Sequence, residues 1–208
     1  MLLVMQQTVI SLTSDKGGVG KSTLAVNLAG ALALNAPTIL IDEDPIQSCV
    51  GWARRADALP MSVESATTVQ PDALSSARYL LVDTEGRPAF ADVLELTRRS
   101  AVVLIPCGTS ALELDATLSL VNRLKEADAD MAVVKVVITK APPVGTVGQQ
   151  ARDALAAAGV PMARAVVRNY AAHQRAPELG VLVRDVPDPR AAQAWGDVLE
   201  LAMEVVGR

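Results

Sequence analysis

The sequence predicts an α/β fold, a doubly wound and mainly parallel sheet with helices on both faces, and three observations carry that prediction. Short continuous apolar runs alternate with helix-forming stretches along the chain, and such runs suit strands buried on both faces of a parallel sheet. Two of the runs end in carboxylates, at Asp42 and Asp83, where open α/β sheets bind ligands. The first run leads through a glycine-rich loop straight into a helix-forming stretch. At 208 residues the chain can bury one large core, and residues 1–208 read as a single domain.

Taken in order, Thr8 to Thr13 is the first strand, and Leu24 to Leu34 the first helix. Ala36-Pro37 breaks that helix, and Thr38 to Ile41 makes a buried strand ending in Asp42-Glu43-Asp44-Pro45. Gln47 to Ala58 reads as a short helix carrying Trp52, followed by a weak strand at Met61 to Glu64. Tyr79 to Val82 repeats the buried-strand pattern and ends in Asp83-Thr84-Glu85-Gly86. Ala101 to Ile105 is a further strand with Pro106-Cys107-Gly108 as its exit loop. Leu112 to Ala127 places Leu114, Leu118, Val121 and Leu124 on one helical face. Val133 to Thr139 is a strand closed by Lys140-Ala141-Pro142-Pro143, Thr146 to Ala158 a helix stopped by Gly159, Met162 to Val167 the last strand, and Ala191 to Val206 a terminal helix.

Composition removes several functional classes. The 19 basic and 23 acidic residues leave a net charge of −4, so bulk charge does not wrap this protein in nucleic acid, and any DNA contact needs a local patch. Cys49 and Cys107 are far apart, which suggests neither a zinc site nor a disulfide framework. Residues 1–13 lack the basic start and long apolar core of a signal peptide. Leu24 to Ile41 is interrupted by Asn27, Asn35 and Pro37, so no membrane-spanning helix is expected, and the chain reads as cytoplasmic.

The loop Asp15-Lys16-Gly17-Gly18-Val19-Gly20-Lys21-Ser22-Thr23 carries the chemistry. Three glycines in four positions let successive N–H groups turn inward around a phosphate. The helix N-terminus behind them adds unpaired donors and its positive dipole end. Lys21 can reach the β- and γ-phosphates, and Ser22 can place a hydroxyl on Mg²⁺. The loop therefore reads as a nucleoside triphosphate cradle. Asp83, closing an apolar strand, is the second half expected of such a site: it would hold Mg²⁺ through water, because Mg²⁺ keeps several of its waters. Asp42 or Asp44 would orient the attacking water, since phosphoryl transfer asks mainly for positioning and charge stabilisation.

The strict pattern G-x-x-x-x-G-K-[ST] fails, because Asp15 stands where its first glycine belongs. What fits is K-G-G-x-G-K-[ST], from Lys16 to Ser22, which resembles the deviant Walker A box of the ParA/MinD group of P-loop ATPases. Ile41-Asp42-Glu43-Asp44-Pro45 is similar to the D-x-D-P segment of ParA-type members, although Ile46 stands where the family has Gln and Gln47 follows it. The resemblance spans nearly the whole chain and is nearest to small ParA-type partition proteins. It implies that Asp44 helps activate the hydrolytic water with Asp42 in support, and that Lys16 crosses to the other subunit's nucleotide in an ATP sandwich dimer. It further implies that Thr139-Lys140 and Pro187-Asp188 hold the adenine base. By the same resemblance the ATP-loaded homodimer binds DNA without sequence preference and releases it when a ParB-like partner stimulates hydrolysis. Arg164, Arg168, Arg175 and Arg184, with Arg152 a possible addition, are the candidate DNA patch. No helix-turn-helix precedes the loop, so sequence-specific operator binding is not expected.

Other readings remain open at this point. A MinD-like or protein-cargo positioning ATPase is one. A MinD-like membrane role would need a basic amphipathic C-terminal helix, whereas this one carries Asp197, Glu200 and Glu204, with Arg208 only at the end. A metabolic ATP-dependent ligase of the dethiobiotin synthetase kind would not need Lys16 in this place. An iron–sulfur reductase related to nitrogenase iron protein would need two cluster cysteines per subunit, of which Cys107 fits one and nothing fits the other. A non-catalytic scaffold would follow if Asp15 or Ile46 abolished turnover.

Overall fold

The computed structural model describes residues 7–207, so the leader expectation at residues 1–13 lies partly, and the charge of Arg208 wholly, outside the described residues. One seven-stranded sheet runs through it in the order β3-β2-β4-β1-β5-β6-β7. Its strands are β1 (Thr8–Leu12), β2 (Thr38–Asp42), β3 (Ser62–Ser65), β4 (Tyr79–Asp83), β5 (Val102–Cys107), β6 (Val134–Ala141) and β7 (Met162–Arg168). Every pairing is parallel, so each connection must cross over a face of the sheet, and helices cover both.

The helices are α1 (Lys21–Leu32), α2 (Ser48–Ala53), α3 (Pro71–Ser75), α4 (Phe90–Arg99), α5 (Ala111–Glu126), α6 (Val147–Ala157), α7 (Ala171–Leu179) and α8 (Ala191–Val206). On one face Ile10, Leu12, Leu40, Leu81 and Leu104 pack with Leu28 and Leu32 of α1, Trp52 of α2, and Val198 and Leu201 of α8. On the other, Val103, Ile105, Val136 and Ile138 pack with Leu96 of α4, Leu120 and Leu124 of α5, and Leu155 of α6. Leu104 and its neighbours Val103 and Ile105 thus enter opposite layers, as the two-residue period of a strand dictates.

Helix α1 is buried on nearly all sides, including its polar Asn27. Asn27 is satisfied by donating to the Thr23 carbonyl at 2.9 Å and accepting from the Val183 N–H at 2.8 Å. A Cβ at Gly30 would lie 2.5 Å from Leu182 Cδ1, so that glycine permits the close approach of the segment after α7.

The strands agree with the sequence reading to within a few residues, and the ends differ for local reasons. Strand β5 continues through Pro106 and Cys107, which the sequence reading placed in a loop. Strand β6 continues through Lys140, whose backbone is left-handed at φ 53°. Helix α2 is half the expected length. Helices α3, α4 and α7 were not anticipated: α3 is five residues long and buries none of them, and α7 contains Pro177, which breaks the ordinary helical pattern.

Candidate functional site

Strand β1 lies at the centre, between β4 and β5, where the direction of strand addition reverses. Such a switch point opens a crevice at the carboxyl ends of the strands. In register, Leu12 of β1 and Asp42 of β2 both face Asp83 of β4, so the ends of three strands lie side by side. A cavity of about 630 Å³ opens there.

The glycine loop forms one wall. Gly18 and Gly20 have φ of +80° and +87°, in the left-handed region that a side chain resists. Gly20 precedes α1, which has no side-chain cap and no acidic residue in its first turn. Its first N–H groups are left for an anion. Lys16 through Leu24 line the cavity in an unbroken run. Asp15, the departure from the usual motif, is exposed and borders a separate crevice beside Phe90 and Arg123. Its charge therefore does not face a phosphate.

Lys21 is buried and donates to Asp83 Oδ1 at 2.7 Å and to the Thr84 carbonyl. Asp83, fully buried, receives the Cys49 thiol on its other oxygen at 3.2 Å. Burial, with Asp83 and Asp42 alongside, pushes the Cys49 thiol well above its ordinary value, so it stays protonated and donates.

Asp42 and Asp44 do different work. Asp42 is buried, and its carboxylate accepts the N–H groups of Asp44, Cys49 and Val50 at 3.1, 2.9 and 3.1 Å. Burial lifts its carboxyl above the usual range, against the pull of those three donors. It organises the loop that enters α2 and does not line the cavity. Asp44 does line it. Its oxygens accept from Ile46 N–H at 2.9 Å and from Gly86 N–H at 3.1 Å, tying the loop after β2 to the loop after β4. Ile46 is 83% exposed, and Gln47 turns away to donate to Ser65 Oγ at 3.0 Å.

Lys16 lies at the rim, donating to the Leu112 carbonyl at 2.9 Å. Thr139 Oγ1 donates to Val19 O at 2.8 Å and Lys140 Nζ to Gly18 O at 2.5 Å, so the tip of β6 pins the loop. Pro187 and Asp188, expected beside the base, are not brought to the cavity. Asp188 accepts from Arg190 N–H at 2.8 Å, and the Pro187 carbonyl from Arg175 at 3.0 Å, so both serve the entry to α8. The cavity is lined instead by Arg168, Asn169, His173, Gln174 and Pro177 of β7, the following turn and α7. The sequence reading missed this group. The available signal was a polar stretch directly after the last strand, at the same carboxyl edge as the carboxylates. Among the described residues His173 Nε2 is buried without a hydrogen-bond partner, and burial holds its imidazole below the ordinary value.

The candidate DNA arginines are unequal. Arg168 is committed to Asp197 and lies over the Tyr170 ring. Arg184 pairs with Asp185 at 3.3 Å and lies 5.3 Å over the Trp195 ring. Arg152 donates to the Arg164 carbonyl at 3.0 Å. Among the described residues the exposed Arg164 guanidinium makes no ion pair.

Among the described residues no three His, Cys, Asp or Glu side chains cluster as a metal cage, and no helix is long and apolar enough to cross a membrane. The donors at hand, the Ser22 hydroxyl and the Asp83 carboxylate beside a phosphate cradle, are hard oxygens of the kind that suit Mg²⁺ shared with a nucleotide.

The profile of the CobQ/CobB/MinD/ParA nucleotide binding domain matches residues 10–183. A maintenance of carboxysome distribution protein A from Gloeobacter kilaueensis is 30% identical over 205 residues, 95% of this chain and 93% of its own. A protein ParA from Rhizobium radiobacter is 32% identical over 134 residues, 60% of this chain and 59% of its own. The ATP complex of a Cyanothece McdA variant superposes with a TM-score of 0.73 over 97% of this chain and 96% of that one, at 14% identity, a likeness of fold.

Proposed function

The chain belongs to the CobQ/CobB/MinD/ParA nucleotide-binding domain family and is a ParA/MinD-type ATPase, and we propose that it positions a protein-based cargo by closing into a dimer over two ATP molecules. The observation that carries the cargo reading is the 30% identity, over 95% of the chain, with a carboxysome distribution protein. DNA partition is the second reading, favoured by the 32% identity with a ParA over part of the chain.

In either reading the residues divide the work in the same way. The N–H groups of Gly17 to Ser22 and the start of α1 bind the phosphates, and Lys21 exchanges Asp83 for the β- and γ-phosphates. Bound Mg²⁺ would supply charge neutralisation between those phosphates, held by Ser22 directly and by Asp83 through water. Asp44 orients the attacking water, with Asp42 fixing the loop beneath it. Lys16, already at the rim, leaves Leu112 and enters the neighbour's site as a cation on the developing charge. Thr139 and Lys140, with Asn169 and Gln174, hold the base. DNA, gripped without sequence preference by exposed arginines such as Arg164 and Arg175, is the surface from which a ParB-like partner releases the dimer in the cytoplasm.

The test measures mass by light scattering with Mg²⁺ and a non-hydrolysable ATP analogue, then DNA binding under ATP, ADP and no nucleotide. Native protein should dimerise and bind DNA only with the triphosphate, and Lys16→Ala should do neither while losing less than about 0.5 kcal/mol of stability. A protein that stays monomeric in every state ends the proposal. Deleting the gene should cluster a protein-based compartment and leave plasmid retention intact. Plasmid loss instead would favour the second reading.

A further inference from the structure

We propose that Cys49 is a positioning residue for Asp83: its thiol holds one carboxylate oxygen and leaves the other as the single oxygen offered to hydrated Mg²⁺. The inference rests on the reading of Asp83 as the carboxylate behind the nucleotide's metal.

Asp83 is fully buried with two donors, Lys21 Nζ at 2.7 Å on Oδ1 and Cys49 Sγ at 3.2 Å on Oδ2. The two donors have different fates. Lys21 must leave Oδ1 to reach a triphosphate, whereas Cys49 cannot move away. Its own N–H is bound to Asp42 Oδ2 at 2.9 Å, and its side chain has no exposed surface. Asp42 and Asp83 are register partners on adjacent strands, so residue 49 is tied by its backbone to one strand end and by its thiol to the next.

A residue that merely filled space here would leave a buried carboxylate oxygen unpaired once Lys21 departs, because among the described residues Oδ2 has no other side-chain donor. Such an oxygen is costly, and the carboxylate would turn to relieve it. With the thiol in place the turn is blocked, and Oδ1 alone points where Lys21 had been. Groups that orient a metal's carboxylate in this way govern metal affinity without touching the ion.

The experiment titrates a fluorescent non-hydrolysable ATP analogue at stepped Mg²⁺ concentrations on native protein, Cys49→Ala, Cys49→Ser and Asp83→Asn. Cys49→Ala should raise the Mg²⁺ needed for half-maximal binding about tenfold, with Mg²⁺-free binding unchanged. Cys49→Ser keeps a hydroxyl donor and should stay within about threefold of native. An unshifted Cys49→Ala, or a Cys49→Ser displaced as far as Cys49→Ala, overturns the assignment. If Asp83→Asn leaves the Mg²⁺ dependence untouched, the reading of Asp83 itself fails. If Asp83→Asn shifts and Cys49→Ala does not, only the role of the thiol fails. The S–H stretching band, isolated as the infrared difference between native protein and Cys49→Ser, gives a readout independent of metal. It should lie at the low frequency of a hydrogen-bonded thiol and rise in Asp83→Asn, and a free-thiol frequency in native protein overturns the proposal.

Discussion

At the phosphate end of the cavity one unbroken run, Lys16 through Leu24, forms the wall, backed by a buried lysine and a buried aspartate 2.7 Å apart. At the end that the proposed function assigns to the base, the wall is assembled from the tips of β6 and β7 and from α7, with exposed side chains such as Asn169 and Gln174. A triphosphate asks for backbone N–H groups and fixed charges, which a local motif can supply. A base asks for a few polar groups at chosen points, which any neighbouring element can supply. One end therefore has its chemistry fixed by the geometry of a single loop, and the other can be built from whatever the fold brings near.

The contrast breaks most sharply at Lys21. Lys21→Ala should lower turnover by about 10²–10³-fold and also cost about 3–5 kcal/mol of stability, because it leaves Asp83 buried without its cation. Both are read from kcat and the denaturant midpoint. Turnover that survived the change would mean that the phosphate end does not depend on this pair.

A smaller effect is expected at the base end. Asn169→Ala combined with Gln174→Ala should weaken ATP binding about tenfold, roughly the value of one or two hydrogen bonds, while inorganic triphosphate binds as before. Asp188→Ala should leave ATP affinity unchanged, since among the described residues the Asp188 carboxylate accepts from the Arg190 N–H at the entry to α8 and does not line the cavity. Equal weakening of ATP and triphosphate by the double variant would erase the division between the two ends, and isothermal titration decides it.

The smallest effect is on pH. Burial holds the His173 imidazole below its ordinary value, whereas in the unfolded chain it titrates near pH 6.5. Below that pH the unfolded state binds a proton that the folded state resists, so the contribution is fully present above about pH 6.5 and declines as pH falls. Urea midpoints measured from pH 8 to 5 should drop more in native protein than in His173→Leu. Parallel curves would show that His173 is not buried as described.

Legibility in the sequence followed the same division. The loop from Lys16 to Thr23 and the carboxylates Asp44 and Asp83 lie at strand ends that apolar runs mark out by themselves; the loop and Asp44 line one crevice, and Asp83 lies buried behind Lys21. Helix α4 buries Val93 and Leu96 on one face, a pattern short enough to pass between two strands unnoticed. Pro187 and Asp188 looked like base contacts through the resemblance, yet a connection between α7 and α8 carries them to another place.

What the sequence determined by itself was the alternation of buried strands and helices, the phosphate-binding loop and the carboxylates beside it, because each depends on residues within a few positions of one another. Only the tertiary structure decided that Asp42 braces a loop while Asp44 faces the cavity, that Asp15 turns outward, that Cys49 meets Asp83, and that α7 supplies the far wall. Those outcomes depend on which strands become neighbours, and strand order is settled by packing both faces of the sheet at once.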